Sequence, residues 1–217
     1  MVKTLLSKMD GMSDGEFESA FGLTKPAFLE HLEHMAALES ERTTRVGAVS
    51  PDFSAPVLIA DGSLSPELLT LSKLSPKPTG LVFGCYTCPV FRRQTDRLKE
   101  IIKAFETDIR FLFIYVTEAH PTNGWNTPSN VSADIMFAQP NDMKERAVIA
   151  HLWRKAFDIQ TRIVVDWPDN RINAAYSGSP ERLYVLDSKR FVTFQSEQGP
   201  YDDGHLDEWE SALRALA

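Results

Sequence analysis

The sequence predicts an α/β architecture, a mixed sheet covered by helices, and three observations carry that expectation. The run Ile109-Arg-Phe-Leu-Phe-Ile-Tyr-Val116 has the density of β-branched and aromatic residues expected of a central strand. A shorter apolar run, Leu81 to Phe83, stops at Gly84, and beyond Pro89 the residues Leu98, Ile101, Ile102 and Phe105 recur at helical spacing. Near the C-terminus, Leu183 to Asp187 and Phe191 to Gln195 read as a hairpin turned at Ser188-Lys189, followed by an amphipathic helix from Leu206 to Leu216. Strands separated by helices and closed by a hairpin plus helix call for helices layered on a sheet.

Taken in order, residues 1–45 read as an N-terminal helical extension and residues 46–217 as the main domain. Ser13-Asp-Gly-Glu16 has capping-box spacing ahead of Phe17, Ala20 and Phe21, and Gly22 is placed to end that helix. A second helix opens at Pro26 and carries Phe28, Leu29, Leu32, Met35 and Ala36 on one stripe. His31 and His34, three apart without a further ligand cluster, read as surface residues. The charged run from Glu39 to Arg45 reads as a solvated helix end and linker.

Val46 to Leu58 is extended and punctuated by proline, and Ser65 to Thr70, with Pro66 in a first-turn position, is expected to form a short helical turn. After the Ile109 strand comes a polar loop from Thr117 to about Asn130, then a helix from about Asp142 to Phe157 and a strand from Arg162 to Asp166.

Composition narrows the function. The chain has 217 residues, long enough to bury a sizeable core, and its net charge of −7 comes without any basic run. That balance lacks the footprint of a nucleic-acid binder. No apolar stretch reaches the ~20 residues of a membrane span, and the N-terminus lacks the apolar core of a signal peptide. The expectation is a cytoplasmic protein with neither nucleic acid nor membrane as a partner.

The chemistry concentrates in Gly84-Cys-Tyr-Thr-Cys-Pro-Val-Phe91, which holds the only two cysteines, Cys85 and Cys88. They sit on a strand-to-helix turn, with Cys88 at or beside the N-cap and Pro89 as the first helical residue. Unpaired backbone N–H groups and the helix dipole are expected to favour the Cys88 thiolate. One sulfur attacking and the other resolving would make the pair a redox couple. A zinc site, two inert core thiols and a structural disulfide are the competing readings; zinc lacks two further ligands in the sequence.

Beyond the central strand, Glu118 and His120 are two apart and point to one side of an extended chain, as an acid–base pair would. Arg182 is placed to hold a carboxylate or to steady the Cys88 thiolate; the bland alternative is an exposed Glu118–Arg182 ion pair. Trp125 reads equally as an aromatic wall for a ring substrate or as a lid residue packed on the core.

Strand, Cys-x-x-Cys at a helix start, βα units and a closing ββα together describe a thioredoxin-like fold. Within it, Gly84 to Phe91, Phe113-Ile-Tyr-Val-Thr-Glu-Ala-His-Pro-Thr-Asn-Gly-Trp125, Val164-Val-Asp166, Ala175-Tyr176 and Glu181-Arg-Leu-Tyr-Val185 resemble the iodothyronine deiodinase family in order and approximate spacing. The resemblance runs from about Val46 to the C-terminus. It puts Cys88 at the selenocysteine position and Thr87 at the preceding threonine, and it assigns Tyr115, Glu118, His120 and Arg182 to proton delivery and substrate holding. Val46 to Phe53 and Arg182 to Asp187 also resemble peroxiredoxins. Cys85 replaces a family serine, and a family histidine is replaced near Gln139-Pro140. The N-terminal helices stand where the family has a membrane anchor.

The resemblance implies thiol-dependent dehalogenation of an iodinated aromatic, with Cys88 attacking and Cys85 resolving. A peroxiredoxin-like thiol peroxidase or disulfide reductase, and a non-enzymatic redox-sensing module, are the alternatives. Expected partners are a small-molecule substrate, an aromatic halide or a peroxide, and a thiol reductant such as thioredoxin or glutathione. No cofactor or metal is expected to be bound, and self-association into a homodimer is left open. Thioredoxin-like folds place a cis-proline ahead of the strand facing the cysteine turn, so the Ser179–Pro180 bond is expected to be cis.

Overall fold

The computed structural model describes residues 11–199 and 204–217, so the first ten residues of the expected helical extension lie outside the described residues. The described part of that extension is two helices, α1 (Asp14–Phe21) and α2 (Lys25–Glu41). Ser13 and Glu16 form the reciprocal capping box, Gly22 closes α1 in the left-handed conformation at φ 78°, and Thr24 caps α2.

The strands β1 (Ser54–Leu58), β2 (Leu64–Thr70), β3 (Thr79–Gly84), β4 (Arg110–Tyr115), β5 (Ile163–Val165), β6 (Arg182–Leu186) and β7 (Val192–Gln195) form one sheet in the order β2-β1-β5-β4-β3-β6-β7. β3, β4 and β5 are parallel, and the flanking pairs β1–β5, β3–β6 and β6–β7 are antiparallel. Helices α3 (Pro89–Phe105), α4 (Pro128–Ser132), α5 (Met143–Ala156), α6 (Arg171–Tyr176) and α7 (Gly204–Arg214) are the α-helices that follow α2 among the described residues.

Alternation along the strands divides the core between the two faces of the sheet. Val82, Phe113, Tyr115, Val165 and Leu183 pack with Phe91, Leu98 and Ile102 of α3, Ala150 and Trp153 of α5, and Trp209 of α7. Their neighbours Leu81, Phe83, Ile114, Val164 and Tyr184 pack on the opposite side with Ile172 and Tyr176 of α6. Both cysteines belong to the first face.

Three expectations are corrected. Ser65 to Thr70 is strand β2, not a helical turn: it pairs antiparallel with β1 as the outermost strand, where Pro66 costs no ladder hydrogen bond. Val57 N–H instead donates to the Ser65 hydroxyl at 3.0 Å, and β1 shifts register between Pro56 and Leu58. Glu39 to Arg45 is not a solvated linker either. Glu39 pairs with Arg182, Arg42 donates to Gln195 at 2.6 Å, and the fully buried Thr44 donates to the Ala175 carbonyl at 2.8 Å. His31 is half-buried, its ring 4.9 Å from that of Trp125. α1 and α2 bury Phe17 and Phe28 in a small apolar cluster that Trp125 of the main domain packs against.

Candidate active site

The cysteine turn is built as its residues dictate. Gly84 ends β3 where a Cβ would stand 2.4 Å from the Phe91 ring, so glycine lets the first turn of α3 lie against the strand. Cys88 is the N-cap of α3, in extended conformation, with Pro89 as the first helical residue. Its Sγ accepts from Phe91 N–H at 3.5 Å. Cys85 Sγ accepts from Ala119 N–H at 3.2 Å and lies 3.8 Å from the Thr87 hydroxyl.

Both are free thiols, and both are sealed from solvent, Cys85 at 0% and Cys88 at 1% exposure. That burial overturns the expected Cys88 thiolate. It pushes both thiols well above the ordinary thiol range; the nearby Glu181 carboxylate raises Cys88 further and Glu118 raises Cys85. The Val90 and Phe91 N–H groups at the helix start do not offset the desolvation, and in this closed state both sulfurs carry protons.

Glu118 organises the Cys85 side. Its Oε1 accepts from the Tyr115 hydroxyl at 2.5 Å, and its Oε2 accepts from the Thr87 N–H at 3.0 Å and the Thr87 hydroxyl at 2.8 Å. The Tyr115 oxygen in turn accepts from Tyr86 N–H at 3.1 Å, and Thr87 Oγ1 accepts from His120 N–H at 3.1 Å. Burial raises Glu118 above the usual carboxyl range although these hydrogen bonds pull it down, and burial together with Glu118 holds Tyr115 protonated. Thr87, Tyr115, Glu118 and Cys85 thus form one continuous polar path through an otherwise apolar core.

His120 joins this path by its backbone, while its ring turns the other way. Nδ1 lies 3.2 Å from the Trp125 carbonyl, which can only accept, so Nδ1 carries the hydrogen and Nε2 of the neutral ring is bare. Burial pushes His120 down to about 4, so the ring is neutral near pH 7. Trp125 stands edge-on to His120 at 4.4 Å and is held on its other sides by Phe28 and His31, with its indole N–H donating to the Phe21 carbonyl at 2.7 Å.

Arg182 is drawn elsewhere. It is 2% exposed, and its guanidinium grips Glu39 of α2 at 2.5 and 3.1 Å while Nε donates to the Ser196 carbonyl at 3.0 Å. The alternative Glu118–Arg182 ion pair does not form: Glu118 is bound by Tyr115 and Thr87, and Arg182 by Glu39 and the Ser196 carbonyl. The Ser179–Pro180 peptide is cis.

Several groups at the site were given no role by the sequence. Arg92, one turn beyond Cys88, is half-buried and donates to the Tyr86 carbonyl at 2.7 Å, close enough to both sulfurs to interact with them electrostatically. Its position at i+4 from Cys88 is the one signal the sequence offered. Gln139 accepts from Glu118 N–H at 2.9 Å, and Asn130, fully buried, donates to the Thr87 carbonyl at 2.9 Å. Arg146 of α5, 1% exposed, donates to the carbonyls of Asp166 at 3.0 Å and Trp167 at 2.7 Å, and supplies positive charge to both Asp166 and Glu118.

The chain is similar to known proteins over most of its length. The model of the iodothyronine deiodinase family matches residues 4–215. Type II iodothyronine deiodinase of Rattus norvegicus is 29% identical over 127 residues, covering 58% of this chain and 47% of that protein. Thyroxine 5-deiodinase of Homo sapiens is 27% identical over 185 residues, covering 84% of this chain and 58% of that one. The chain therefore spans about half the length of the curated relatives it matches.

Solved structures similar to it include a putative thiol:disulfide interchange protein DsbE from Chlorobium tepidum (TM-score 0.55, 14% identity) and the peroxidoxin BcpB from Mycobacterium tuberculosis (TM-score 0.54, 16% identity). Each covers 80% of this chain and 99% of its own, and the likeness shows the thioredoxin-like fold. Among the described residues no helix is long and apolar enough to cross a membrane. With a family model matched along nearly its whole length, the chain belongs to the iodothyronine deiodinase family.

Proposed function

We propose that the protein is a thiol-dependent oxidoreductase that removes iodine reductively from an aromatic ring. Cys88 Sγ attacks the iodine, the carbon–iodine bond breaks, and its electron pair remains on the ring carbon, which takes up a proton. The products of that step are the deiodinated arene and a Cys88 sulfenyl iodide. Cys85 then attacks Cys88 Sγ, iodide leaves, the Cys85 proton departs, and a Cys85–Cys88 disulfide remains. An external dithiol reduces it, so one dithiol is oxidised for each iodide and proton released.

Family membership supports this reading, and the observation that carries it is the buried Glu118 carboxyl bound to Tyr115 and Thr87 beside the two thiols. Glu118, kept protonated to higher pH by burial, supplies the ring proton through Thr87 and receives the Cys85 proton back. Neutral His120 serves as an acceptor rather than an acid: its bare Nε2 suits a phenol O–H on the substrate. Arg92, whose charge reaches both sulfurs, stabilises negative charge on Cys88 as the thiol ionises. Because both thiols start buried, the cycle requires the turn to open to substrate and to reductant.

Iodide release from an iodinated phenol with a dithiol, run beside peroxide consumption under the same conditions, tests the proposal. Catalytic iodide release supports it. Rapid peroxide loss with no iodide would replace dehalogenation by a thiol peroxidase on the same two cysteines.

A further inference from the structure

α1 and α2 are held to the main domain at two places of unequal strength. Beyond the C-terminal end of α2, Glu39 grips the buried Arg182 at 2.5 and 3.1 Å, Arg42 donates to the Gln195 side chain at 2.6 Å, and the buried Thr44 donates to the Ala175 carbonyl at 2.8 Å. That end is an anchor. Around the turn between the two helices the hold is a small clasp on Trp125: Phe28 stands edge-on to its ring at 5.5 Å, His31 at 4.9 Å, and the Phe21 carbonyl accepts its indole N–H at 2.7 Å. Phe17 is the one side chain that α1 buries, and Phe28 the one that α2 buries.

The clasp bears on the segment that shuts the thiols in. Between Ala119 and Asn130 the chain lies across the cysteine turn: Ala119 N–H donates to Cys85 Sγ at 3.2 Å, His120 N–H to the Thr87 hydroxyl at 3.1 Å, and the Asn130 amide to the Thr87 carbonyl at 2.9 Å. Trp125 sits within that segment, with the His120 ring edge-on to it at 4.4 Å. Gly22 approaches the same segment so closely that a Cβ there would stand 2.5 Å from the Asn126 carbonyl oxygen and 3.0 Å from the Pro128 ring. The two helices, the segment and the turn are thus stacked in series.

Relative cost decides which end opens. Freeing the clasp exposes two phenylalanine rings and gives up one hydrogen bond, whereas freeing the anchor strands the buried Arg182 guanidinium without its carboxylate. Local opening at the cheaper end needs no global unfolding. With the clasp open, Trp125 keeps only His120 among its aromatic neighbours in the described residues, and the segment is left on the turn by its hydrogen bonds alone.

We infer that α1 and α2 form a strap that keeps Cys85 and Cys88 shut in, and that it lifts from Trp125, pivoting on the Glu39–Thr44 anchor, to admit substrate and reductant. Trp125 is the catch of that strap. The inference deepens the proposed function, on which the admission of substrate rests, but the lifting itself is read from the thiols without turnover.

The test is the rate at which iodoacetamide alkylates the reduced full chain, followed by mass spectrometry. Phe28→Ala empties the clasp and Gly22→Ala wedges it off the Asn126 carbonyl, and each should raise the rate about tenfold or more. Leu29→Ala, on the exposed side of α2, should leave it at the parent value. Hydrogen exchange of the β3 and β4 amides should stay at the parent rate in all three variants, which marks the opening as local. Alkylation at the parent rate in either Phe28→Ala or Gly22→Ala overturns the inference, as does an equal rise in Leu29→Ala or a rise that comes only together with β3 and β4 exchange. Faster alkylation without iodide release from an iodinated phenol would sink the proposed function and leave the strap standing; iodide release with alkylation unchanged in the variants would do the reverse.

Discussion

Cys85 and Cys88 occupy one turn at the same depth, yet they meet different chemistry. Cys88 caps a 17-residue helix, receives the Phe91 N–H, and has Arg92 one turn away. Cys85 has no helix end; it touches Thr87 and through it the Glu118–Tyr115 pair. In the proposed cycle the helix start suits a sulfur that must bear negative charge when it attacks, while the Arg92 charge reaches both sulfurs. The carboxyl path suits a sulfur that must lose a proton at a defined moment. Burial suppresses both reactivities in the closed state, so the difference between the thiols is one of neighbours rather than of exposure.

Substituting each cysteine sharpens that contrast most. Cys88→Ser is expected to abolish thiol-driven turnover, whereas Cys85→Ser keeps the first deiodination and loses recycling through a disulfide; steady-state iodide release with a dithiol separates the two. Oxidation of the parent should give an intramolecular Cys85–Cys88 disulfide with no alkylatable thiol. Two alkylated cysteines after oxidation, read by mass spectrometry, would break the pairing.

Glu118→Gln should lower the rate by roughly 10²–10⁴-fold, the usual share of an acid–base group. An equal loss of rate in Arg92→Met and none in Glu118→Gln would place the proton path at the wrong thiol.

The pH dependence of stability probes the Cys85 side through His120. Its folded value of about 4 lies below the unfolded value of about 6.5, so the unfolded chain binds more protons between those limits. Stability should therefore fall as pH drops through that window, by roughly 3 kcal/mol in all, and His120→Gln should flatten the slope. Denaturant midpoints between neutral pH and pH 4 measure it.

On the other side, Glu39→Gln leaves the buried Arg182 without its carboxylate. Because Glu39 is itself about one-third exposed, the cost expected is about 1–3 kcal/mol, less than for a fully sealed pair. Rates per folded molecule should change little if Arg182 serves to hold α2, and a large change would show that it faces the substrate.

What the sequence made legible was local. The break at Gly84, the Cys88 cap and Pro89 at the helix start lie within a few residues of one another, and periodicity in α3, β4 and α5 is set by burial on one face. The misreadings came from partners far apart in the chain. Pro66 looked like a helix opener because its edge position depends on β1 pairing, and Glu39 looked solvated because Arg182 lies 143 residues away. His31 looked like a surface residue because Trp125 arrives from the main domain. At the site, residue types and spacing pointed to Glu118 and His120, but protonation followed from burial. Gln139, which holds Glu118 through its backbone, was marked only as the place of a replaced histidine, and Asn130, which holds Thr87 in the same way, belongs to no pattern a sequence displays.

The division of labour between the two thiols is tested most directly by one turnover without reductant. Rapid mixing of the reduced protein with excess iodinated phenol should give one deiodinated product per parent chain, with one iodide and a Cys85–Cys88 disulfide. Cys85→Ser should give the same amount of product with the iodine retained as sulfenyl iodide until thiol is added, and Cys88→Ser should give none. Product formed by Cys88→Ser at the parent rate, or a full burst of free iodide from Cys85→Ser before any thiol is added, would contradict the assignment of attack to Cys88 and resolution to Cys85.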